Sequence, residues 1–478
     1  MLFNSEPYLI FLPIVVAANW ALPGRLRPAF LVAASYYFYA SWNPPYLLLI
    51  FFLTVANYFL GMLQERCVPR RRSLLVASIV LDLGALGVFK YLGWLDGGVA
   101  GLAQLLGLSL SLPLVQLVLP LGLSFFTFEF IHYQVDLYRG AGAIKDPVRF
   151  ALFPAFFPTQ IAGPIKRYED FDDQVREQPK FNAPLFLEGL ELIALGLFKK
   201  VVIADNVARV ATIVFANTAA AAAGDAWVGA LAFYVQVYFD FSGYTDIARG
   251  SAQLFGYRIP FYFRAPFLAA SVQDFWQRWH MSLTYWLRDY LFYPLVFSAP
   301  LRKLGRRGRL LAAVMITGTL CGMWHGAGSQ FVVFGLMMGG DFVFDRLATV
   351  YVWRKIPEKI STFGHWLQCQ VLLLMTICFF AAPVPIALEL WKHEITGGLQ
   401  FRLLNSLEVV QVVGVFVVTL GVQHALMRWK PRDLLARFEV STALRPAYVM
   451  GLSVTALYFA VADAALAFAP QKFIYFQF

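Results

Sequence analysis

The sequence predicts an all-α, polytopic membrane protein. Hydrophobic residues make up 59% of its 478 residues and charged residues only 14%, whereas a soluble domain is typically about a quarter charged. Apolar runs recur along the whole chain, and short clusters of lysine and arginine separate several of them. Such clusters are typical of cytoplasmic loops, so the net charge of +10 indicates a membrane topology and not a nucleic-acid partner.

Twelve apolar runs predict full or partial membrane spans. Several are shorter than the roughly 20 residues of a full span, and others are broken by Gly or Pro, as at Pro120-Leu121-Gly122. Because broken helices need protein or a watery cavity to satisfy their backbone groups, we expect re-entrant segments around a central cavity. The runs are residues 8–22, 30–40, 45–63, 73–92, 113–138, 185–204, 226–241, 310–325, 329–347, 367–388, 407–427 and 447–468.

His325 lies in the middle of an apolar, glycine-rich stretch from Thr317 to Gly340. Apart from the thiol of Cys321, it is the only ionisable group there. An ionisable side chain at membrane depth is costly and therefore marks a functional site by default. Imidazole is also suited to proton transfer near neutral pH. The alternative is a packing histidine that hydrogen-bonds a backbone carbonyl.

The longest polar stretch in the first half of the chain covers residues 159–182. It follows an apolar run and predicts a loop with a short helix. Lys166 and Arg167 lie within it, and basic groups of this kind guide anions such as a phosphate-bearing donor. The alternative is an ordinary basic cytoplasmic loop.

Asp240 lies inside an aromatic run, residues 234–247. A buried carboxylate needs a partner. It either orients a catalytic group or pairs with a nearby arginine such as Arg249, and the sequence leaves both interpretations open.

Residues 274–290 predict one amphipathic helix. Three tryptophans flanked by arginines are typical of a helix at a membrane interface. His280 lies at the edge of the apolar arc, close to Trp276 and Leu287, and is either a site residue or an incidental member of an anchor helix. The arc contains Phe275, Trp276, Trp279, Leu283, Trp286, Leu287 and Tyr290.

Five motifs together resemble the membrane-bound O-acyltransferase family. Their order and spacing, over roughly residues 85–345, match its bacterial branch, which includes proteins of alginate O-acetylation and of teichoic acid D-alanylation. The motifs are LPLGLSFFTFEFIHYQVDLYRG (Leu119–Gly140), FFPTQIAGPIKRYEDF (Phe156–Phe171), YFDFSGYTDIARG (Tyr238–Gly250), QDFWQRWHMSLTYWLRDYLFYPL (Gln273–Leu295) and GMWHG (Gly322–Gly326).

The resemblance implies a ring of about 11–13 transmembrane and re-entrant helices around a thinned centre, with funnels on both faces. It makes His325 the catalytic histidine and His280 the second important one. It divides the chain into N-terminal transmembrane helices (1–70), the acyltransferase core (71–347) and C-terminal transmembrane helices with an aromatic tail (348–478).

Two features depart from the alginate branch. Met338 occupies the histidine position of a second motif that commonly follows, and Asp289–Phe297 lacks the usual glycine pair. The first puts any role of that second motif in doubt. The second favours the D-alanyl branch, and the substrate stays open.

The C-terminal residues FIYFQF fit the pattern F-x-Y-x-x-F. This resembles the C-terminal motif of the small partner peptide of the D-alanyl system, in which the tyrosine is implicated as an acyl relay. Tyr475 is a poor nucleophile until a base takes its phenolic proton, and His325 could be that base. The alternative is an aromatic tail resting at the membrane interface.

The resemblance therefore implies an O-acyltransferase of the bacterial inner membrane. It would move a short acyl group, in the first instance acetyl, from a cytoplasmic thioester across the membrane for O-acylation of an exported polysaccharide such as alginate. His325, His280 and Tyr475 would be catalytic, and Trp324, Asp240, Lys166 and Arg167 would contact substrate. The alternatives are D-alanyl transfer from a carrier protein to a cell-envelope polymer, and a membrane transporter of an acyl compound or polymer precursor.

We expect no bound cofactor and no metal, because the four cysteines are scattered without metal-ligand spacing. The co-substrate would be acetyl-CoA or an acyl carrier thioester. The expected partners are a periplasmic acyltransferase that hands the acyl group to the polymer, the cytoplasmic donor or its carrier protein, and the lipid bilayer.

Overall fold

The computed structural model describes residues 1, 3–105, 117–428, 450–451, 453–455 and 473–474. Within these ranges the regular elements are α-helices with short 3₁₀ and π-helical turns, so the all-α prediction is confirmed. The helices are α1 (Glu6–Ala21), α2 (Arg27–Ala40), α3 (Pro44–Arg66), α4 (Arg71–Leu105), α5 (Leu123–Arg139), α6 (Pro147–Ala155), α7 (Tyr168–Glu177), α8 (Ala183–Phe198), α9 (Asp205–Ala216), α10 (Ala223–Leu254), α11 (Val272–Arg278), α12 (Met281–Leu287), α13 (Tyr293–Phe297), α14 (Ala299–Arg302), α15 (Gly305–His325), α16 (Ser329–Tyr351), α17 (Glu358–Ala381), α18 (Val384–Thr396) and α19 (Ser406–Arg428).

The chain divides into two compact units. Unit 1 consists of Met1–Ile193 and Thr245–Pro260, and unit 2 of Ala194–Tyr244 and Phe261–Phe478. Each unit therefore takes part of α10, which is 32 residues long.

Four helices in the described part of the chain are long and apolar enough to cross a membrane: Pro44–Arg66, Val68–Leu95, Glu358–Ala381 and Ser406–Arg428. Only 17% of the most apolar window of Ser406–Arg428 is buried within the protein, so most of its apolar surface faces outward. Apolar surface of this extent is stable in contact with lipid and is rare on a soluble monomer. This protein is therefore a membrane protein.

In unit 1, the predicted break before α5 is present. Gly122 has a φ of +75°, and a Cβ at this position would lie 2.6 Å from the carbonyl oxygen of Gln160. A left-handed backbone and a close approach both favour glycine. The predicted short helix in residues 159–182 is α7, which begins after Arg167.

In unit 2, one predicted span is two helices. The run 367–388 breaks after Ala381, and α18 begins at Val384, because Pro383 and Pro385 lack the amide hydrogen that would continue α17. The run 185–204 ends in a π-helical turn over Lys199–Ala204. Most of the run 447–468 lies outside the described residues.

Candidate active site

Helices α15 and α16 of unit 2 pack closely through glycine. A Cβ on Gly335 would lie 2.6 Å from the carbonyl oxygen of Gly318, and one on Gly318 would lie 2.9 Å from the amide nitrogen of Gly339. Gly318 and Gly322 of α15 are four residues apart, and so are Gly335 and Gly339 of α16. This spacing places the glycines on one face of each helix, the arrangement that lets membrane helices approach closely. The close contact fixes the end of α15, where His325 lies, against α16.

His325 is the last residue of α15, and its side chain lies in an aromatic shell. The centroid of its ring lies 4.8 Å from that of Trp324, 5.2 Å from that of Phe380 and 5.9 Å from that of Phe334. The following residue must be small, because a Cβ on Gly326 would overlap the ring of Phe331. His325 remains 9% exposed, and this exposed part faces a cavity.

That cavity has a volume of about 50 Å³. It has room for a few water molecules or a two-carbon acyl group, because one water needs roughly 10–15 Å³ on this measure. Its walls come from α10, α11, α15, α16 and α17, through Tyr234, Val237, Phe275, Trp276, Trp279, His325, Phe334, Met338, Asp341, Leu373, Thr376, Ile377 and Phe380.

The predicted amphipathic helix over residues 274–290 is wrong as a single element. The chain forms two short helices, α11 and α12, and His280 between them has a left-handed backbone with φ 44° and ψ 49°. Two hydrogen bonds hold this break: Met281 donates to the carbonyl of Tyr262 at 2.9 Å and Arg264 to that of Arg278 at 2.9 Å. The apolar side chains also face the interior, since Phe275, Trp279, Leu283 and Trp286 are buried within unit 2.

The break turns the imidazole of His280 into the core of unit 2. Its ring centroid lies 4.4 Å from that of Tyr262, 5.0 Å from that of Phe241 and 6.2 Å from that of Trp324. The ring of Trp324 is therefore a neighbour of both histidine rings. The structure brings His280, Trp324 and His325 together, as the sequence led us to expect of a common site.

A second, larger cavity of about 770 Å³ adjoins the first, and both are lined by Trp276 and Met338. Its volume lies in the range of small-molecule sites, roughly 300–1,000 Å³. Arg264, Arg278 and Arg288 line it, together with Asp274, Thr284, Thr317, Cys321 and other residues of α11, α12, α15 and α16. Met338, which replaces a histidine of the alginate branch, therefore lies at the junction of the two cavities.

Sequence reasoning missed two polar residues of the small cavity. Asp341 of α16 is 4% exposed, and the hydroxyl of Thr376 donates to its Oδ2 at 2.5 Å. Both side chains line the cavity that His325 faces. The sequence did contain a signal for Asp341: it is an ionisable residue directly after the apolar stretch that ends at Gly340.

The carboxylate of Asp240 pairs with a lysine that sequence reasoning did not consider. Lys200 donates from Nζ to Oδ1 of Asp240 at 2.5 Å and also contacts Oδ1 of Asp205 at 2.8 Å. In unit 1, Arg249 forms its own ion pair with Asp246 at 3.6 Å. The open question about the partner of Asp240 is therefore resolved in favour of Lys200.

Lys166 and Arg167 belong to unit 1. Lys166 is 2% exposed, and its Nζ donates to Glu129 at 2.8 Å and to the hydroxyl of Thr159 at 2.6 Å. The ammonium group of Lys166 is therefore buried and paired in the core of unit 1. This position does not support the predicted contact of Lys166 with an acyl donor. Arg167 is half-buried where it precedes α7.

Tyr475 lies outside the described residues, as do residues 429–449. The two residues before Tyr475 are described: Phe473 is 1% and Ile474 2% exposed. Both are therefore in the core of unit 2. Within the described residues, no three His, Cys, Asp or Glu side chains are grouped so that they could hold a metal ion.

The chain is similar to several bacterial acyltransferases. It is 38% identical to a probable alginate O-acetylase of Azotobacter vinelandii, over 87% of this chain and 84% of that protein. It is 32% identical to the peptidoglycan O-acetyltransferase of Helicobacter pylori, over 80% and 77% of the two chains. It is also 32% identical to the teichoic acid D-alanyltransferase of Bacillus subtilis, over 45% and 56%.

The family model of the membrane-bound O-acyltransferases matches residues 114–354. The matched region contains His280, Trp324, His325 and both cavities except for parts contributed by α17 and α19. With this match and relatives of this similarity over most of its length, the chain belongs to the membrane-bound O-acyltransferase family and is an O-acyltransferase.

Proposed function

We propose that this enzyme transfers an acetyl group from a cytoplasmic thioester, across the bacterial inner membrane, to an exported polysaccharide such as alginate. One observation carries the proposal most directly. His325 faces a cavity large enough for a two-carbon acyl group, and this cavity shares two wall residues with a much larger one lined by three arginines. A small acyl site beside a large basic site fits a short acyl group on a large anionic donor.

The larger cavity is the proposed donor site. A CoA thioester carries phosphates, and a thioester on a carrier protein carries the phosphate of its prosthetic group. Arginine binds phosphate well because its planar guanidinium donates two parallel hydrogen bonds. Arg264, Arg278 and Arg288 supply that group at the wall of the cavity. The basic segment Arg302–Arg309 at the start of α15 supports a cytoplasmic location for this end of the helix.

The proposed chemistry follows from the imidazole of His325 at the wall of the small cavity. A hydroxyl in the small cavity gives its proton to the ring of His325, and its oxygen attacks the carbonyl carbon of the thioester. The resulting intermediate collapses with cleavage of the C–S bond, and the leaving thiolate takes the proton from the imidazolium. One ester is formed, one thioester is consumed, and one thiol is released.

The attacking hydroxyl is proposed to be that of Tyr475, which then carries the acyl group as an ester. A separate periplasmic acyltransferase accepts the group from the tyrosine and passes it to the polymer. One observation supports a side chain of the enzyme in this role: Phe473 and Ile474, the residues before Tyr475, are buried in the same unit as His325.

Acetyl is favoured over D-alanyl by the extent of similarity. The relatives that are named as alginate O-acetylases match 71–89% of this chain, whereas the teichoic acid D-alanyltransferase of Bacillus subtilis matches 45%.

The test replaces His325 by Ala and by Gln in a strain that depends on this enzyme for acylation. Both variants should insert and accumulate normally but leave the polymer without O-acyl groups, as measured by NMR of the purified polymer. The matched control is His424→Ala, since His424 is an exposed histidine of α19. Near-normal acylation by either His325 variant would contradict the proposal. Loss of acylation with normal uptake of a labelled acyl compound would favour the acyltransferase, because a transporter does not need His325 for bond cleavage.

A further inference from the structure

The described end of the chain lies against a buried group of charges in unit 2. The backbone N–H of Ile474 donates to Oδ2 of Asp240 at 2.7 Å. The same carboxylate accepts from Lys200 through its other oxygen. Asp240 thus uses one oxygen for a lysine and the other for the backbone of the C-terminal segment.

The side chain of Phe473 adds two further contacts to this group. Nζ of Lys200 lies 4.8 Å from the centroid of the Phe473 ring, a cation–π distance. The ring of Tyr244 meets the same ring edge-on at 5.3 Å between centroids. Phe473 and Ile474 are both almost completely buried, so the contacts between the tail and this group occur out of contact with solvent.

The local backbone is shaped around Lys200. The helical chain widens to a π-turn over Lys199–Ala204, and π-turns inside helices are frequent at functional sites. Gly243 allows α10 to approach this region, because a Cβ there would lie 2.7 Å from the carbonyl oxygen of Gly196.

The group lies close to the cavity of His325 along α10. Val237 lines that cavity, and Asp240 follows it by three residues, a rise of about 4.5 Å along the helix axis. Phe241, the next residue, contacts the ring of His280. The tail is therefore anchored on the same turn of α10 that forms part of the active-site wall.

We propose that Lys200, Asp205 and Asp240 form a docking site for the C-terminal segment, in which Asp240 and Lys200 are positioning residues for the acyl-carrying tyrosine. Asp240 fixes the amide of the residue that precedes Tyr475, and Lys200 orients that carboxylate and contacts the ring of Phe473. This assigns Asp240 to the tail and not to the substrate. The link to acyl transfer rests on the proposed function, but the docking itself does not.

Hydrogen–deuterium exchange of the full-length protein tests the docking without any acyl transfer. The C-terminal peptide containing the Ile474 amide should exchange slowly in the wild type. Asp240→Ala removes the acceptor and Lys200→Met removes its counter-charge, so each should speed exchange of that peptide at least tenfold. The matched control is Asp173→Ala, because Asp173 is 69% exposed and pairs only at the surface with Arg176.

A variant of the C-terminal segment tests whether faster exchange in Asp240→Ala or Lys200→Met is caused by misfolding. Phe473→Ala changes only the terminal segment and should also release the amide, while the exchange of peptides from α10 and α15 stays as in the wild type. Unchanged protection in Asp240→Ala and Phe473→Ala would overturn the docking site, as would rapid exchange in the wild type.

The same variants are then assayed for acyl transfer. Asp240→Ala and Lys200→Met should lose at least tenfold in rate, with partial recovery in Lys200→Arg, which keeps the charge. If Tyr475→Phe remains fully active while the tail still needs Asp240 for protection, the tyrosine relay fails and the docking site stands. If the released tail leaves the rate unchanged, the positioning role of Asp240 is contradicted.

Discussion

At His280 a single residue determines the course of the backbone and the position of a buried imidazole. Its left-handed conformation is uncommon for a residue other than glycine, and such conformations persist only where the surrounding structure enforces them. Here the enforcing contacts are the hydrogen bonds on either side and three aromatic rings. Strain of this kind is frequent at active sites.

Replacing His280 by Ala should therefore cause a large loss of acyl transfer, of at least tenfold. His280→Asn tests the loss of the imidazole separately from a change in backbone conformation, because Asn tolerates the left-handed region better than most residues. We expect His280→Asn to fold as well as the wild type and to remain impaired, with the turnover number and KM for the thioester measured separately. Full activity of His280→Asn would reduce His280 to a packing residue.

Asp341 offers a second test at the residue scale. A carboxylate in the cavity of His325 can stabilise the imidazolium that forms when His325 accepts a proton. We expect Asp341→Asn to slow acyl transfer by about tenfold, equivalent to about 1.4 kcal/mol in the barrier. Thr376→Ser, which keeps the donated hydrogen bond, should retain activity, and a fully active Asp341→Asn would remove Asp341 from the mechanism.

The sequence identified His325 for a physical reason: an ionisable group in a long apolar run is costly and therefore informative. Asp341 escaped notice because it lies at the edge of that run, where a charge is unremarkable. Lys200 was missed as the partner of Asp240 because the two are 40 residues apart. Ion pairs between residues so far apart in sequence depend on how the helices pack, and the local sequence pattern does not record that packing.

Among the helices, the packing of α15 on α16 fixes the position of His325 in the candidate site. A Cβ on Gly335 would meet the backbone of Gly318 and Thr319, whereas one on Gly340 of the same helix would meet nothing within 4 Å. This contrast offers a matched pair of substitutions on one helix.

We expect Gly335→Ala to lower the melting temperature of the purified protein and to reduce acyl transfer, since α15 must move away from α16. Gly340→Ala should be neutral or slightly stabilising, because alanine favours a helix over glycine by about 1 kcal/mol. Thermal unfolding in detergent, followed by tryptophan fluorescence, measures both. Equal melting temperatures for the two variants would contradict the proposed role of this close contact.

The sequence also indicated most helices but misjudged residues 274–290. A helical wheel assumes one unbroken helix, and it contains no information about the contacts that force His280 out of helical geometry. The same limit explains the predicted span 367–388, in which the apolar run continues through two prolines while the helix does not. Composition predicts which residues are apolar, and the backbone decides where each helix ends.

At the scale of the whole molecule, the class of protein could be predicted because lipid contact requires an apolar surface, which composition records. The division into two units could not be predicted. Residues 245–260 return to unit 1 after about 50 residues in unit 2, and this depends on tertiary contacts within each unit.

The membrane topology remains a prediction. The sequence from Arg428 to Arg445 carries five basic residues against Asp433 and Glu439: Arg428, Lys430, Arg432, Arg437 and Arg445. This excess should hold it in the cytoplasm, and the following apolar run would deliver the C-terminus to the outer face. A periplasmic reporter fused after residue 478 should therefore be active, and a reporter active only in the cytoplasm would contradict this topology.

The central claim is that His325 activates a hydroxyl of this enzyme to accept an acetyl group from a thioester. Intact-mass spectrometry of the purified protein, incubated with an acetyl thioester and no acceptor, tests it most directly. We expect the wild type to gain the mass of one acetyl group, located on Tyr475, and His325→Ala to gain none. Acetylation of His325→Ala at the rate of the wild type would contradict the claim.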